Sequence, residues 1–308
     1  MNESILITGA NIGIGKEVAR QLALKNETKK VILFCRNQAK AEAAKKDLEQ
    51  LTGKKIFEII IGDVSDADSV RKAVGKIKEP IDAVILNAGG VVGQTAAKPT
   101  PSGMNELSAT NVLGHVVLVE ELIKQDKLRK AVLFASAEAI PGVKALGMKP
   151  VAMKTSSVEE FAGVLDGSYF GDKFEALAAY GYVKYAGTMW ALSMARKYPN
   201  LKFVVVSPGN TDGTNAPNNL PEPMQFMVKY VMMPLVFPLI GGMVHKLAVG
   251  AKRFVDAISD EQYKSGIFYA SKEGKLSGDM VDQSTFYTDL KNTSFQDNAH
   301  KAIHRFIK

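Results

Sequence analysis

Short apolar runs recur along the first part of the chain, and longer mixed stretches separate them. Residues 5–8, 31–34, 56–61, 83–86 and 131–134 are rich in Ile, Val, Leu and Phe and are bounded by turn residues, the pattern of strands buried on both faces. The intervening 15–25, 39–52, 66–78 and 107–128 carry apolar residues at helical spacing among Lys, Glu and Ala. The alternation predicts an α/β fold, a doubly wound parallel sheet with helices on both faces. Beyond an irregular region, 179–197 reads as a helix and 202–207 as another buried strand. No repeat or composition break divides the chain, so residues 1–308 are expected to form one domain, with insertions at about 137–178 and 210–250.

Composition narrows the setting. Hydrophobic residues make up 46% and charged residues 23%, ordinary for a globular chain. Cys35 is the one cysteine, so no intrachain disulfide forms. Residues 1–4 lead straight into the first strand without a basic, then apolar, leader; no signal peptide is expected, and the cytoplasm is the expected location. The net charge of +7 is scattered among acids rather than drawn into a basic stripe, so a nucleic-acid partner is not expected.

The first strand runs into Thr8-Gly9-Ala10-Asn11-Ile12-Gly13-Ile14-Gly15 and then a helix. A diphosphate needs backbone N–H groups to approach closely; glycines remove the Cβ atoms that would block it, and the helix N-terminus adds partial positive charge. The spacing T-G-x-x-x-G-x-G resembles the opening motif of the short-chain dehydrogenase/reductase family, and the resemblance extends over roughly residues 4–210. It implies a Rossmann-like fold and a nicotinamide cofactor. After the second strand comes Cys35-Arg36, where NAD-preferring enzymes commonly carry a carboxylate for the ribose hydroxyls. A guanidinium instead suits a 2′-phosphate, so Arg36, with Lys40 nearby, points to NADP(H). The family's adenine-contacting pair is matched by Asp63-Val64, and its N-A-G element by Asn87-Ala88-Gly89, each at the C-terminal end of a predicted strand.

Tyr180 and Lys184 are four apart, which on a helix places them on one face. A free tyrosine titrates at about 10, and a neighbouring ammonium is expected to pull it down toward useful proton transfer. Tyr182 and Tyr185 lack such a lysine, so the pair singles out Tyr180. The resemblance adds Ser136, which matches the serine holding the substrate oxygen, and Asn111, which matches the asparagine of a helix kink and proton relay. It also implies that Pro208, Gly209 and Thr211 lie at the carboxamide, although the family's usual threonine position is Gly213, and Thr214 competes with Thr211. The expected cofactor set is therefore Gly9, Asn11, Gly13, Ile14, Gly15, Arg36, Asp63, Val64, Asn87, Ala88, Gly89, Tyr180, Lys184, Pro208, Gly209 and Thr211.

The long interval between Ser136 and Tyr180, the Cys35-Arg36 pair and the N-x-x-G-H of 111–115 resemble the branch containing retinol dehydrogenases and protochlorophyllide reductases. The reading is hydride transfer between NADP(H) and the carbonyl or alcohol carbon of an apolar small molecule, with Tyr180 as acid or base. Two alternatives stand beside it: an NADP(H)-binding regulator without turnover, and a C=C reductase. The uncharged, methionine-rich 230–244 is expected to be an apolar substrate lid; weak contact with a membrane surface and a homodimer remain open. His300 and His304 stand at i,i+4 spacing without the acidic residue of H-E-x-x-H, so no metal site is expected.

Overall fold

The computed structural model describes residues 2–142, 149–213 and 243–307, with positions 226, 227, 230, 232 and 236 between them. Most of the expected lid, and Thr214, lie outside the described residues. The described strands form one eight-stranded sheet in the order β3-β2-β1-β4-β5-β6-β7-β8. They are β1 (Ser4–Thr8), β2 (Lys30–Cys35), β3 (Phe57–Ile61), β4 (Ile81–Leu86), β5 (Leu128–Ala135), β6 (Lys202–Val206), β7 (Ile267–Ser271) and β8 (Met280–Asp282). The first seven run parallel and β8 pairs antiparallel to β7. The sheet is therefore doubly wound and Rossmann-like, as the alternation predicts.

Period-two alternation divides the strand residues between two cores. Ile5, Ile7, Val31, Leu33, Ile85 and Leu133 pack with Val18, Leu22 and Phe254 of helices α1 (Gly13–Ala23) and α7 (Leu247–Ser259). Leu6, Ile32, Val84, Leu86, Val132 and Phe134 face the other way, toward α3 (Ala67–Gly75), α4 (Gly114–Lys124) and α6 (Ala176–Lys197). Burial on both faces explains the apolar runs 5–7, 31–35, 83–86 and 131–135 within these strands. The chain winds outward from β1 through β2 and α2 (Gln38–Thr52) to β3, then returns to β4 on the other side of β1. That reversal opens a crevice at the C-terminal ends of β1 and β4.

Two expectations need correction. The single helix expected over 107–128 is a turn at Glu106–Ser108, a π-helical segment at Ala109–Leu113 and then α4, and Leu128 already begins β5. The region expected to be irregular contains α5 (Val158–Asp166), started by Ser157, whose side chain accepts from the Glu160 N–H. The Glu160 carboxylate in turn accepts from the N–H groups of Lys154, Thr155 and Ser156. The C-terminal end, for which the sequence pattern gave no expectation, supplies β7, β8, α7 and α8 (Thr293–His304). Among the described residues no helix is long and apolar enough to cross a membrane.

Candidate active site

The turn after β1 is built for close approach. Gly9 has φ +66°, and a Cβ there would lie 3.1 Å from the Ala88 Cα. A Cβ on Gly15 would lie 2.5 Å from both the Gly9 carbonyl oxygen and Asn87 Nδ2. Ile12, at the N-cap of α1, offers no side-chain acceptor to the first-turn N–H groups and is itself 53% exposed. Open N–H groups at a helix start above a Cβ-free floor fit a diphosphate. Beneath the turn the Cys35 sulfur accepts from the backbone of Ala10 and Asn11, and burial pushes its thiol up to about 11. Arg36 stands on the exposed rim, 3.7 Å from Asp63 Oδ2, while Asn37 caps α2 through the Lys40 N–H. The other Asp63 oxygen accepts from the N–H and hydroxyl of Ser65, and the Val64 carbonyl accepts from the Gly114 N–H.

Thr8 ties β1 to the Asn87-Ala88-Gly89 element. Its Oγ1 accepts from the N–H groups of Asn87 and Ala88, both at 2.9 Å, and its carbonyl accepts from Asn87 Nδ2. His115, fully buried, lies between Thr8 Oγ1 and the Asn111 carbonyl, at 3.2 Å from each. A carbonyl only accepts, so Nδ1 carries the proton and Nε2 accepts from the threonine hydroxyl. Burial, with Lys184 nearby, keeps this ring neutral by pushing it down to about 3. Asn111 itself lies in the π-helical segment. Its Oδ1 accepts from the Gly90 N–H, and its Nδ2 donates to the carbonyls of Gly90 and Leu107. π segments occur often at functional sites, and here the bulge holds Asn111 against the end of the N-A-G loop.

Ser136, Tyr180 and Lys184 meet beside that loop. Lys184 is 3% exposed; its Nζ donates to the Ala135 carbonyl at 2.9 Å and lies 5.6 Å from the Tyr180 ring centre. A Cβ on Gly89 would stand 3.6 Å from the same Nζ. Ser136 Oγ is 2.8 Å from Thr188 Oγ1, one helical turn beyond Lys184. The expected lowering of Tyr180 is not what this environment gives: burial pushes the phenol well above its ordinary value. The reason is that desolvation also acts on the lysine, pushing it down to about 7, so the neighbouring cation is itself weakened.

The far wall joins the expected Pro208, Gly209 and Thr211 to residues that the sequence reading missed, His245, Glu138 and Arg253. Thr211 Oγ1 contacts the carbonyls of Pro208 and Gly209 and His245 Nε2, and that nitrogen is 2.7 Å from the Pro208 carbonyl. Behind it Arg253 and Glu138 form a buried ion pair at 3.4 Å. Arg253 also donates to the Ser207 and Gly278 carbonyls and to Ser271 Oγ, and Glu138 accepts from the N–H and hydroxyl of Ser271. This network fastens the ends of β5, β6 and β7. Asn111, Ser136, Tyr180, Lys184, Gly89 and the glycine turn thus share one sheet edge; Arg36 and Asp63 stand at its β2–β3 end.

The profile of the short chain dehydrogenase family matches residues 3–138. Human retinol dehydrogenase 13 is 35% identical over 130 residues, covering 41% of this chain and 38% of that protein. The chain therefore matches well under two thirds of the length of that relative. Chloroplastic protochlorophyllide reductase of Daucus carota is 28% identical over 306 residues, covering 91% of this chain and 74% of that protein. Among solved structures, salutaridine reductase from Papaver somniferum is similar with a TM-score of 0.61 at 18% identity, covering 87% of this chain and 100% of that one. NADPH-bound carbonyl reductase from chicken fatty liver gives 0.57 at 21%, covering 90% and 98%. At these identities the structural likeness concerns the fold.

Proposed function

We propose that the chain, whose residues 3–138 match the short chain dehydrogenase family, transfers a hydride between NADP(H) and the carbonyl or alcohol carbon of an apolar small molecule. The observation that carries this reading is the buried Lys184 amine, bonded to the Ala135 carbonyl beside Tyr180 at the edge where Ser136, Asn111 and the N-A-G loop converge. NADP(H), when bound, supplies or accepts the hydride. The glycine turn from Gly9 to Gly15, with Asn11 and Ile14, would hold the diphosphate. Asp63 and Val64 would hold the adenine, Arg36 the 2′-phosphate, and Pro208, Gly209 and Thr211 the carboxamide.

In the reducing direction Tyr180 gives its phenol proton to the substrate oxygen. A phenol pushed up by burial is protonated at neutral pH, as an acid must be. Ser136 donates a hydrogen bond to the same oxygen once its hydroxyl turns from Thr188. Lys184 would hold a ribose hydroxyl and, when protonated, would stabilise the phenolate that Tyr180 leaves behind. Asn111 keeps the π bulge and the N-A-G loop in register, so that Lys184 keeps its place. Oxidation of an alcohol runs the same proton in reverse.

The test is a spectrophotometric panel. The purified chain with NADPH is offered aldehydes, ketones, quinones and retinoids while nicotinamide absorbance is followed. Loss of absorbance with at least one carbonyl class, faster with NADPH than with NADH, is expected. Tight NADPH binding with no turnover across the panel would overturn the reading in favour of a cofactor-binding regulator. Reduction of a carbon–carbon double bond is a second reading, supported by the relative matched over most of the chain, a protochlorophyllide reductase. Product analysis distinguishes it from carbonyl reduction.

A further inference from the structure

Away from this edge, α8 packs against α6 and α5 and touches α4 through His304 and Glu120. It brings His300 and His304, one turn apart, to Glu120, which is 184 residues from His304 in sequence. The candidate ligand atoms of the three side chains all lie within 4.8 Å of one another. The hydrogen bonds decide which ring nitrogens are available. His304 Nδ1 is 2.7 Å from the His300 carbonyl, which can only accept, so Nδ1 carries the proton. That leaves His304 Nε2 facing Glu120 Oε2 at 3.0 Å. Two acceptors at that distance require a proton or a cation between them. The other carboxylate oxygen, Oε1, is buried and has no hydrogen-bond partner.

His300 is oriented in the same way. The Ser193 hydroxyl has one proton and gives it to the Trp190 carbonyl at 2.7 Å. The contact between Ser193 Oγ and His300 Nδ1 at 3.3 Å therefore has the ring as donor, which leaves Nε2 as the lone-pair atom. Both imidazoles are thus anchored through Nδ1–H to protein oxygens, the arrangement that orients metal-ligating histidines. The rings stack with centres 4.3 Å apart. An open depression of about 260 Å³, lined by Ser193, Arg196, Lys197, Asp297 and His300, gives access from solvent.

We propose that Glu120, His300 and His304 form a binding site for one divalent transition-metal ion of the zinc class, which clamps α8 to α4. Two imidazoles and a carboxylate suit zinc, with solvent in the fourth position. Bonds of about 2.1 Å would draw the three ligand atoms to roughly 3.3 Å apart, a small side-chain adjustment on helices that stay in place. Lys197 opposes a cation here, and Asp297 is paired with Arg196, so the acidic charge that favours a cation comes from Glu120. The site is independent of hydride transfer.

The test uses the full chain without an affinity tag, stripped with a chelator and dialysed. Zinc chloride is titrated calorimetrically, and cobalt(II) is added in parallel for its visible spectrum. One saturable zinc equivalent, a raised Tm and a cobalt spectrum of tetrahedral character are expected. Glu120→Gln keeps the shape of the side chain and should lose the equivalent; so should His300→Ala with His304→Ala. Ser193→Ala removes only the anchor of His300 and should weaken binding by about 10- to 100-fold. Absence of a saturable equivalent in the wild type would overturn the proposal, and so would an undiminished equivalent in Glu120→Gln. The trio would then be an ion pair held by a proton.

Discussion

Replacing Arg253 with methionine isolates the buried network behind the far wall. The guanidinium is 4% exposed and Glu138 is 7% exposed, so neither charge has water to fall back on. The shorter, uncharged side chain would fill part of the volume but leave Glu138 without its countercharge, and the Ser207 and Gly278 carbonyls without their donor. Breaking a buried pair in this way costs about 3–5 kcal/mol. Unfolding in urea, followed by the fluorescence of the single, buried Trp190, measures it. The loss depends on pH with a sign that follows from Glu138. Burial raises its carboxyl above the ordinary 4.5, and Ser271 and Arg253 oppose that rise. Without Arg253 the folded value climbs further. A carboxyl raised on folding costs nothing below its unfolded value, and the penalty grows as pH rises to the folded value. The variant should therefore be least impaired in acid and most impaired at neutral pH. Adding Glu138→Gln should recover part of the loss. A variant within about 0.5 kcal/mol of wild type at neutral pH, or strict additivity in the double variant, would refute the reasoning.

Two further expectations concern single charges. Arg36→Asp should raise the KM for NADPH sharply and improve relative use of NADH, because a 2′-phosphate would meet repulsion instead of a partner; steady-state kinetics with both cofactors checks it, and equal affinity of the wild type for both would count against Arg36. Lys184→Met should stabilise the cofactor-free protein below pH about 7, by up to a few kcal/mol, because the amine falls from 10.5 to about 7 on folding. The cost of burying that charge is complete below about 7 and fades as pH rises toward the unfolded value, so the Tm advantage should shrink from neutral to alkaline pH.

The sheet was legible because parallel strands buried on both faces have no polar alternation to disguise them. The runs at 5–8, 31–34 and 83–86 lie inside observed strands, whose extra end residues are Ser4, Lys30, Cys35, Ile81 and Asp82. Helix α5 carried a readable signal, the N-cap serine Ser157 with Glu160 three residues on, and β7 carried another, an aromatic run after Gly266. The π segment carried none: its residues suit an ordinary helix, and the break is held by Asn111 bonding to a loop on another strand. Pairs such as Glu138 with Arg253, or Glu120 with His304, depend on which elements the fold sets side by side, and sequence spacing does not encode that. The pKa of Tyr180 was misjudged for a related reason. The spacing indicates a neighbouring amine, but only the packed structure shows that the amine is also desolvated.

Comparing wild type with Tyr180→Phe separates proton transfer from cofactor binding, with NADPH binding followed by fluorescence titration and turnover by absorbance on the best substrate of the panel. Turnover should be abolished while NADPH affinity stays nearly unchanged, because the substitution removes only the oxygen that carries the proton. Undiminished turnover in Tyr180→Phe would contradict it.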